Sequence, residues 1–527
     1  MKNVARSMIL LMLVGLTQMP ALAAELRVTG FVDNVFPHWD SNTSSVDNDN
    51  TRNSDQIFYG RNRSRFFFNF IASDDLRGVL GLEIDQSYGA PSADRTGSGC
   101  VEGEGAYAFE QCGFDNGIDN NAIEIKQLYV DFRVPQLPIG NRWRLGGFRF
   151  QALPLHASTV YNIDGGGGDL RLTFSDQVSL LLSYQQMEED LDRFRGSAKL
   201  GEDYVAAATL MLRPLDGLDF HLLGIYTHLH NPFDTLTGTG GPFASITQDS
   251  RNVTTESRYY LGFDARYRIG NTRIEPTFVY LLGSRKFCEP GSLTNTLGDL
   301  IACTSPAGSP SSLDFGGFQA ILEVGHVMGP WLFAGKFGYS SGNKADDDLN
   351  NRGIGTREDI GWRQVATESP RINDWFEIFG TSDVDGTGTR VFRRGAETEH
   401  FERFGWIVLG GKAEYKATDN LILEGAAGGF WTAEKTGCPA NFRLGSLSGP
   451  CTGPNSPRNS SGEPALNFTG DSRFMGWEID AGVRYSIMPG LTWTPRVGYA
   501  NYGDAFSANG RKAMDAWTVV NRMIYIF

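Results

Sequence analysis

The stretch "YYLGFDARYRIGNTRIEPTFVYLLG" runs from Tyr259 to Gly283. Large apolar or aromatic residues fill alternate positions: Tyr259, Leu261, Phe263, Ala265, Tyr267 and Ile269. After Gly270 and Asn271 the pattern resumes with Ile274, Pro276, Phe278, Tyr280 and Leu282. Between them lie Asp264, Arg266 and Arg268, then Arg273, Glu275 and Thr277. A period of two marks a β-strand with unlike faces, and Gly-Asn between two such runs marks a hairpin. In a soluble sandwich the apolar face is the inside. In an outer-membrane barrel it faces lipid, and the polar phase lines a water-filled interior. One hairpin is compatible with both, so the choice falls to the rest of the chain.

The N-terminus narrows it. Lys2 and Arg6 precede an apolar run from Met8 to Leu16, followed by "MPALAAE" with small residues at Ala21, Ala23 and Ala24. This pattern predicts a secretory signal peptide over 1–24, leaving 25–527 as the mature protein. No other stretch approaches the about 18 consecutive apolar residues of a transmembrane helix. The formal charge is −14, from 47 basic and 61 acidic residues, and becomes −16 without Lys2 and Arg6. Such a chain makes a poor nucleic-acid binder. With 64 glycines and 12% aromatic residues, the composition favours an all-β fold over a helical one.

About 18 strands can be read by alternation. Short turns such as "SDDLR", "SDQ", "PLDGLD", "ATDN" and "MPG" alternate strictly with long connections near 37–56, 89–121, 230–256, 285–313, 341–400 and 433–473. A meandering transmembrane antiparallel β-barrel requires this order, with short periplasmic turns and long extracellular loops. The apolar phase carries aromatics near strand ends (Tyr259, Tyr267, Trp143, Trp431, Trp477, Tyr485, Trp493, Tyr499), which fits two interfacial girdles. Pro276 and Pro495 lie on that phase too and are expected near strand rims, because proline forfeits a ladder hydrogen bond. The chain ends "NRMIYIF", with Tyr525 and Phe527 on one face, and this resembles the C-terminal signature that barrel-assembly machinery reads.

The opposite phase carries Arg61, Arg63, Arg65, Arg133, Arg258, Arg266, Arg268, Arg273, Lys336, Lys412, Arg484, Arg496 and Arg522. It also carries Glu83, Asp85, Asp131, Asp264, Glu275, Glu323, Glu414, Glu424, Glu478 and Asp480. Buried in a dry core these charges would be costly, whereas a barrel of roughly 16–18 strands encloses water. The residues expected to line the pore are Arg61, Arg63, Arg65, Arg133, Arg258, Arg266, Arg268, Arg273, Glu275, Arg484 and Arg496. Pairing across strands and contact with a permeating solute are both open to them. In "RWRLGGFRF", Arg142 and Arg144 share a phase that Arg149 does not, and a bulge at Gly146-Gly147 would restore the order.

Cys100 and Cys112, Cys288 and Cys303, and Cys438 and Cys451 form three close pairs, 12, 15 and 13 positions apart, each within one long connection. Three local disulfides are the simplest pairing and agree with an oxidising compartment; zinc would want CxxC-type spacing or nearby histidines. The seven histidines are scattered, with only His228 and His230 spaced to share a strand face, so no metal site is expected. No GxSxG, HExxH or CxxCH occurs, and "DGGGGD" (164–169) reads as a loop without the strand-to-helix context of a phosphate cradle. The chain is not expected to be an enzyme or to carry a cofactor. Oxygen-rich stretches at 46–55 and 345–351 suit loop Ca²⁺ as well as plain solvation. The connection 341–400 holds Asp346, Asp347 and Asp348 together with Trp375 and Phe376. A structureless loop of that length is uncommon unless functional, so it is expected to fold over or into the pore as a constriction.

Two places resemble the alginate-export family of outer-membrane porins. One is "GYSSGNKADDD" (338–348), whose loop continues to "RINDWFEIFG" (371–380); the other is "MGWEIDAGVRYSIMPGLTWTPRVGYANYGDAF" (475–506). The resemblance implies an 18-stranded channel with an arginine-rich lumen and loops that narrow it. The chain is thus expected in the outer membrane of a Gram-negative bacterium, among outer-membrane lipid and lipopolysaccharide, as a monomer or trimer. There it would pass small hydrophilic or charged solutes, passively or substrate-specifically. The alternative is a structural or adhesive surface barrel that acts through its long loops.

Overall fold

A computed structural model describes residues 24–39, 57–58, 60–88, 113–114, 123–151, 160–188, 203–229, 253–287, 312–342, 356–359, 361–362, 366–367, 375–380, 405–435, 472–506 and 515–527. Eighteen long strands form the wall. They are β1 (Glu25–Trp39), β2 (Gly60–Ser73), β3 (Leu76–Tyr88), β4 (Glu124–Phe132), β5 (Gly140–Gln151) and β6 (Tyr161–Ser175). Next come β7 (Val178–Glu188), β8 (Asp203–Leu215), β9 (Leu218–Leu229), β10 (Val253–Ile269), β11 (Thr272–Phe287) and β12 (Phe318–Met328). The last are β13 (Trp331–Ser340), β14 (Trp406–Lys416), β15 (Leu421–Trp431), β16 (Phe474–Met488), β17 (Leu491–Tyr502) and β18 (Asp515–Ile526). Each strand pairs antiparallel with the next, and β1 pairs with β18 from Phe31↔Ile526 to Trp39↔Thr518, so the sheet closes on itself. The fold is the expected barrel.

The outer surface shows which face is wet. Tyr259, Leu261 and Ile269 are 48%, 53% and 53% exposed, while Tyr260 and Asp264 between them are 0% exposed. The same holds around the ring, from Val130 and Leu145 to Ile479, Val497 and Tyr525. A continuous apolar exterior of this extent is a lipid-facing surface. Toward the long-connection end, tyrosines 184, 204, 226 and 259 stand in a row, with neighbouring ring centroids 5.7, 5.9 and 4.9 Å apart. Trp477 and Tyr499 (5.6 Å) and His38 and Trp517 (4.8 Å) pair likewise. Toward the short-turn end lie the pairs Trp331–Tyr415, Phe132–Trp143 and Tyr525–Phe527.

Both prolines fall a few residues inside a strand, at the same distance from the short-turn end: Pro276 four residues after Thr272, and Pro495 four after Leu491. Each leaves a gap in one ladder, between Asp264↔Thr277 and Tyr267↔Ile274, and between Gly482↔Arg496 and Tyr485↔Trp493. The missing N–H explains both gaps.

Three sequence expectations need correction. "DGGGGD" is strand, not loop: Asp164 to Asp169 pair along β5, and Gly166 to Asp169 also along β7. The register of β5 is unbroken on both sides through Gly146 and Gly147, so no bulge realigns Arg149 with Arg142 and Arg144. The bulge near this region is at Lys126 instead, where the β3–β4 register steps from Gly81↔Gln127 to Leu82↔Ile125. Strand also reaches into stretches expected as loop, since β1 runs to Trp39, β10 starts at Val253 and β11 runs to Phe287.

The closing seam ends on the C-terminal residue. The Phe527 N–H donates to the Gly30 carbonyl and the Gly30 N–H to the Phe527 carbonyl, both at 3.0 Å. The Phe527 ring lies 5.9 Å from Phe66 and 5.5 Å from Tyr525. Two such bonds contribute about 1–3 kcal/mol together, a small part of a seam with nine further paired positions. Deleting Phe527 should lower the stability of the fraction that folds by no more than about 1–3 kcal/mol, while cutting the amount of barrel reaching the membrane several-fold, as the C-terminal resemblance predicts. Cell fractionation and denaturant unfolding in detergent micelles check this; normal membrane levels would refute it.

Candidate functional site: the charged lumen and its docked segment

The inward phase carries ionic pairs that cross from strand to strand. On β2 and β3, Arg61 and Arg63 reach Asp85 at 3.4 and 2.5 Å, and Arg65 bonds Glu83. The bulged Lys126 bridges Glu83 (3.2 Å) and Asp164 (3.1 Å), extending this group across β4 to β6. Asp131 on β4 takes Arg77 at 2.6 Å and Arg142, while Arg144 bonds Asp169 and lies 4.3 Å over the Phe148 ring. A second chain spans four strands: Arg266–Glu275, Glu275–Arg273 (3.2 Å), Arg273–Glu323 (2.7 Å) and Glu323–Lys336 (3.4 Å). Glu414 takes Lys412 (2.9 Å) and Arg484 (2.8 Å), and Arg522 bonds Asp33 at 2.9 Å across the seam.

The expected pore-lining residues divide by position. Arg61, Arg63, Arg65, Arg266, Arg273, Glu275, Arg484 and Arg496 stand within these inward networks. Arg133 and Arg268 sit at the short-turn rim, where Arg133 is half exposed and bonded to Asp75 and Arg268 comes two residues before the turn at Gly270. Hydrogen bonding to Asp75 is the main cause that holds the Arg133 guanidinium above its ordinary pKa. Arg258 is 1% exposed, bonded to Glu256 at 2.5 Å, with its guanidinium 4.9 Å over Phe315. Its surroundings show what alternation alone does not reveal: toward the long-connection end the inward phase of β5 to β11 becomes apolar. Phe148, Phe150, Tyr161, Tyr260, Val279 and Leu281 form one buried cluster covered by Phe315 and Trp362.

That cover comes partly from 341–400. Its residues Thr356–Asp359 pair in parallel with Ser312–Phe315, which itself pairs with β11, and Ala366–Thr367 pair in parallel with the start of β6. Trp362 packs edge-on to Tyr260 (5.9 Å) and its N–H donates to the Ser341 carbonyl. Residues 375–380 then lie on the inner surface of β14 to β17. Thus the connection touches the wall at three separate places.

The third contact is the most extensive. Phe376 and Phe379 are buried against Phe430, with ring centroids 5.0 and 4.2 Å away, and Phe379 meets Tyr502 at 5.3 Å. Phe376 sits on a glycine floor. A Cβ at Gly410 or Gly428 would stand 2.9 or 2.5 Å from its ring, so no larger residue fits beneath it. Trp375 lies under two ammonium groups, Lys336 at 4.5 Å and Lys412 at 5.3 Å. Glu377 bonds Arg496 (3.0 Å), which also holds Glu424 on β15 (2.7 Å). The Ile378 and Phe379 N–H groups both donate to the Glu478 carboxylate, each at 2.6 Å. The sequence reading singled out Trp375 and Phe376 but missed Glu377 and the glycine floor. The available signal was glycine on the inward phase of two adjacent strands whose other inward positions hold Lys412, Glu414 and Glu424.

Asp346, Asp347, Asp348, all six cysteines, His230 and both oxygen-rich loops lie outside the described residues. His228 meets Ser257 (3.2 Å) and Tyr226 (3.3 Å), and no group of metal-ligating side chains occurs among the described residues.

No family model and no curated protein matches the chain. Solved structures align with it along nearly their whole length. Pseudomonas aeruginosa OccK11 (OpdR) aligns at 12% identity over 95% of this chain and 96% of its own, with a TM-score of 0.45. The P. aeruginosa outer membrane protein OpdK aligns at 9% over 95% and 98%, TM-score 0.47. Acinetobacter baumannii OccAB4 aligns at 9% over 97% and 100%, TM-score 0.45. The fold stands on the strand pairing itself.

Glu83 is the hub of the largest ionic group, 1% exposed and faced by Arg65, Lys126 and Arg63. Removing its charge takes the carboxylate from Arg65 and leaves Arg63 with Asp85 and Lys126 with Asp164, so Glu83→Gln should lower stability by on the order of 2–3 kcal/mol. Glu25, 62% exposed in its pair with Arg27, is the contrast, and Glu25→Gln should cost less than about 1 kcal/mol. Denaturant midpoints of both variants in micelles test this.

Proposed function

We propose that the protein is an outer-membrane channel of a Gram-negative bacterium. It passes small hydrophilic or charged solutes through the barrel, and residues 375–380 form its constriction. One observation carries this reading: an aromatic and acidic segment of a long connection is docked inside a barrel whose inner wall is charged. A loop acting only at the cell surface has no reason to place Phe376, Ile378 and Phe379 at 0–4% exposure against the inner strands. The wall chemistry also bears on the solute. Most inward arginines already hold a carboxylate, so the lumen offers alternating charge rather than a bare cationic track. This favours small solutes over a polyanion. The finer affiliation with alginate-export porins therefore stays a matter of motif resemblance and not of substrate. The function proposed is transport without catalysis.

The test is electrical. Purified protein in planar lipid bilayers should give discrete conductance steps. Replacing Phe376 and Phe379 together by Ser removes the apolar docking on the inner wall and should raise single-channel conductance about twofold or more, with the folded barrel retained. Folded protein that gives no steps would favour the surface barrel. Unchanged steps in the double variant would show that 375–380 is not the constriction.

A further inference from the structure

The docking site of residues 375–380 is rich in carboxyl groups. Glu478 and Asp480 are inward neighbours on β16, 0% and 7% exposed. Glu377 of the docked segment, itself 3% exposed, lies against Asp480. Glu424 on β15 completes the set. The cation bonded to this set is Arg496 on β17, and it is shared between Glu377 and Glu424. Lys336 and Lys412 face Trp375 and are bonded to Glu323 and Glu414. Among the described residues, four carboxyls thus face one guanidinium.

The hydrogen bonds locate the surplus. Glu478 accepts two backbone N–H groups, which favours its ionised form. Neither oxygen of Asp480 has a close, well-aligned hydrogen-bond donor among the described residues; the Glu377 backbone N–H points at it loosely, and the Glu478 carboxyl is beside it. Asp480 Oδ1 lies over Gly498, where a Cβ would come within 2.5 Å of it and 3.5 Å of the Glu377 Cβ. A buried carboxyl with one loose amide donor for two oxygens, against a carboxylate that already accepts, becomes satisfied when it carries a proton and donates it to that neighbour.

We propose that a proton on Asp480, shared with Glu478, latches residues 375–380 to the wall, and that the constriction opens as pH rises. This deepens the channel reading and rests on it for its consequence, though the latch itself is testable without current. The sign follows from the cluster. With the proton present, Glu478 holds the Ile378 and Phe379 amides and Glu377 pairs with Arg496. With it removed, Asp480 and Glu478 face each other and Glu377 as buried like charges, and of the three only Glu377 is on a segment free to leave.

Two measurements on the full chain test it. Single-channel conductance should rise about twofold or more from about pH 8 to about pH 11 in the native protein, and hold steady in Asp480→Asn, whose amide donates to Glu478 throughout. Independently, Ile378→Cys is labelled with a maleimide in micelles, in the native and the Asp480→Asn backgrounds. The ratio of the two rates cancels the thiol's own titration and should climb with pH. A flat ratio, or the same conductance profile in Asp480→Asn as in the native chain, overturns the latch. A climbing ratio without conductance steps keeps the latch and sinks the channel reading.

Discussion

Everything in this structure depends on one constraint: in lipid no backbone N–H or C=O is left to water, so a sheet must close on itself. Closure is made by β1 and β18, and its last rungs are the reciprocal bonds between Gly30 and Phe527. Once the ring is closed, the alternation of side chains is no longer a choice between core and solvent. It divides lipid from lumen, and every inward position must suit a space that eighteen strands make too wide for side chains alone to fill.

The protein fills that space in two ways. Over much of the wall it uses charge in chains, such as Arg266–Glu275–Arg273–Glu323–Lys336, which keep the lumen polar while binding neighbouring strands to each other. Elsewhere it imports a core from a connection. Phe376, Ile378 and Phe379 supply the inward apolar packing that β14 and β15 give up by placing glycine at 410 and 428. Phe315 and Trp362 do the same over Phe148, Tyr260 and Leu281. The two apolar clusters are therefore parts of the lumen, built jointly by wall and loops.

Much of this was legible in the sequence. Alternation at 259–283, the long-short rhythm and the terminal aromatic gave a closed barrel of about 18 strands, because each follows from geometry that any such barrel must obey. The inward phase gave most ion-pair members for the same reason. What escaped were features set by contacts far apart in sequence. Arg149 suggested a bulge at Gly146-Gly147, but the register there is held by β4 and β6, and the slip occurs at Lys126. Asp164 to Asp169 looked like a loop for its glycines, yet in β6 they are rungs of the sheet. Arg258 had the phase of a pore residue, but Phe315 from a distant stretch covers it.

The docked segment shows why such a site is hard to read and why it is specific. Apolar residues alone would place Phe376 and Phe379 anywhere on an inner wall. Two features fix the place. The glycine floor admits a ring only where Gly410 and Gly428 adjoin, as β14–β15 pairing dictates. Glu478 then accepts the Ile378 and Phe379 amides, bonds that depend on the segment's backbone direction and not on its side chains. Arg496 adds a third condition by holding Glu377 and Glu424 together, so the segment is read by shape, by backbone and by charge at once. Because all three lie on the inner face of neighbouring strands, the barrel wall itself positions the docked segment.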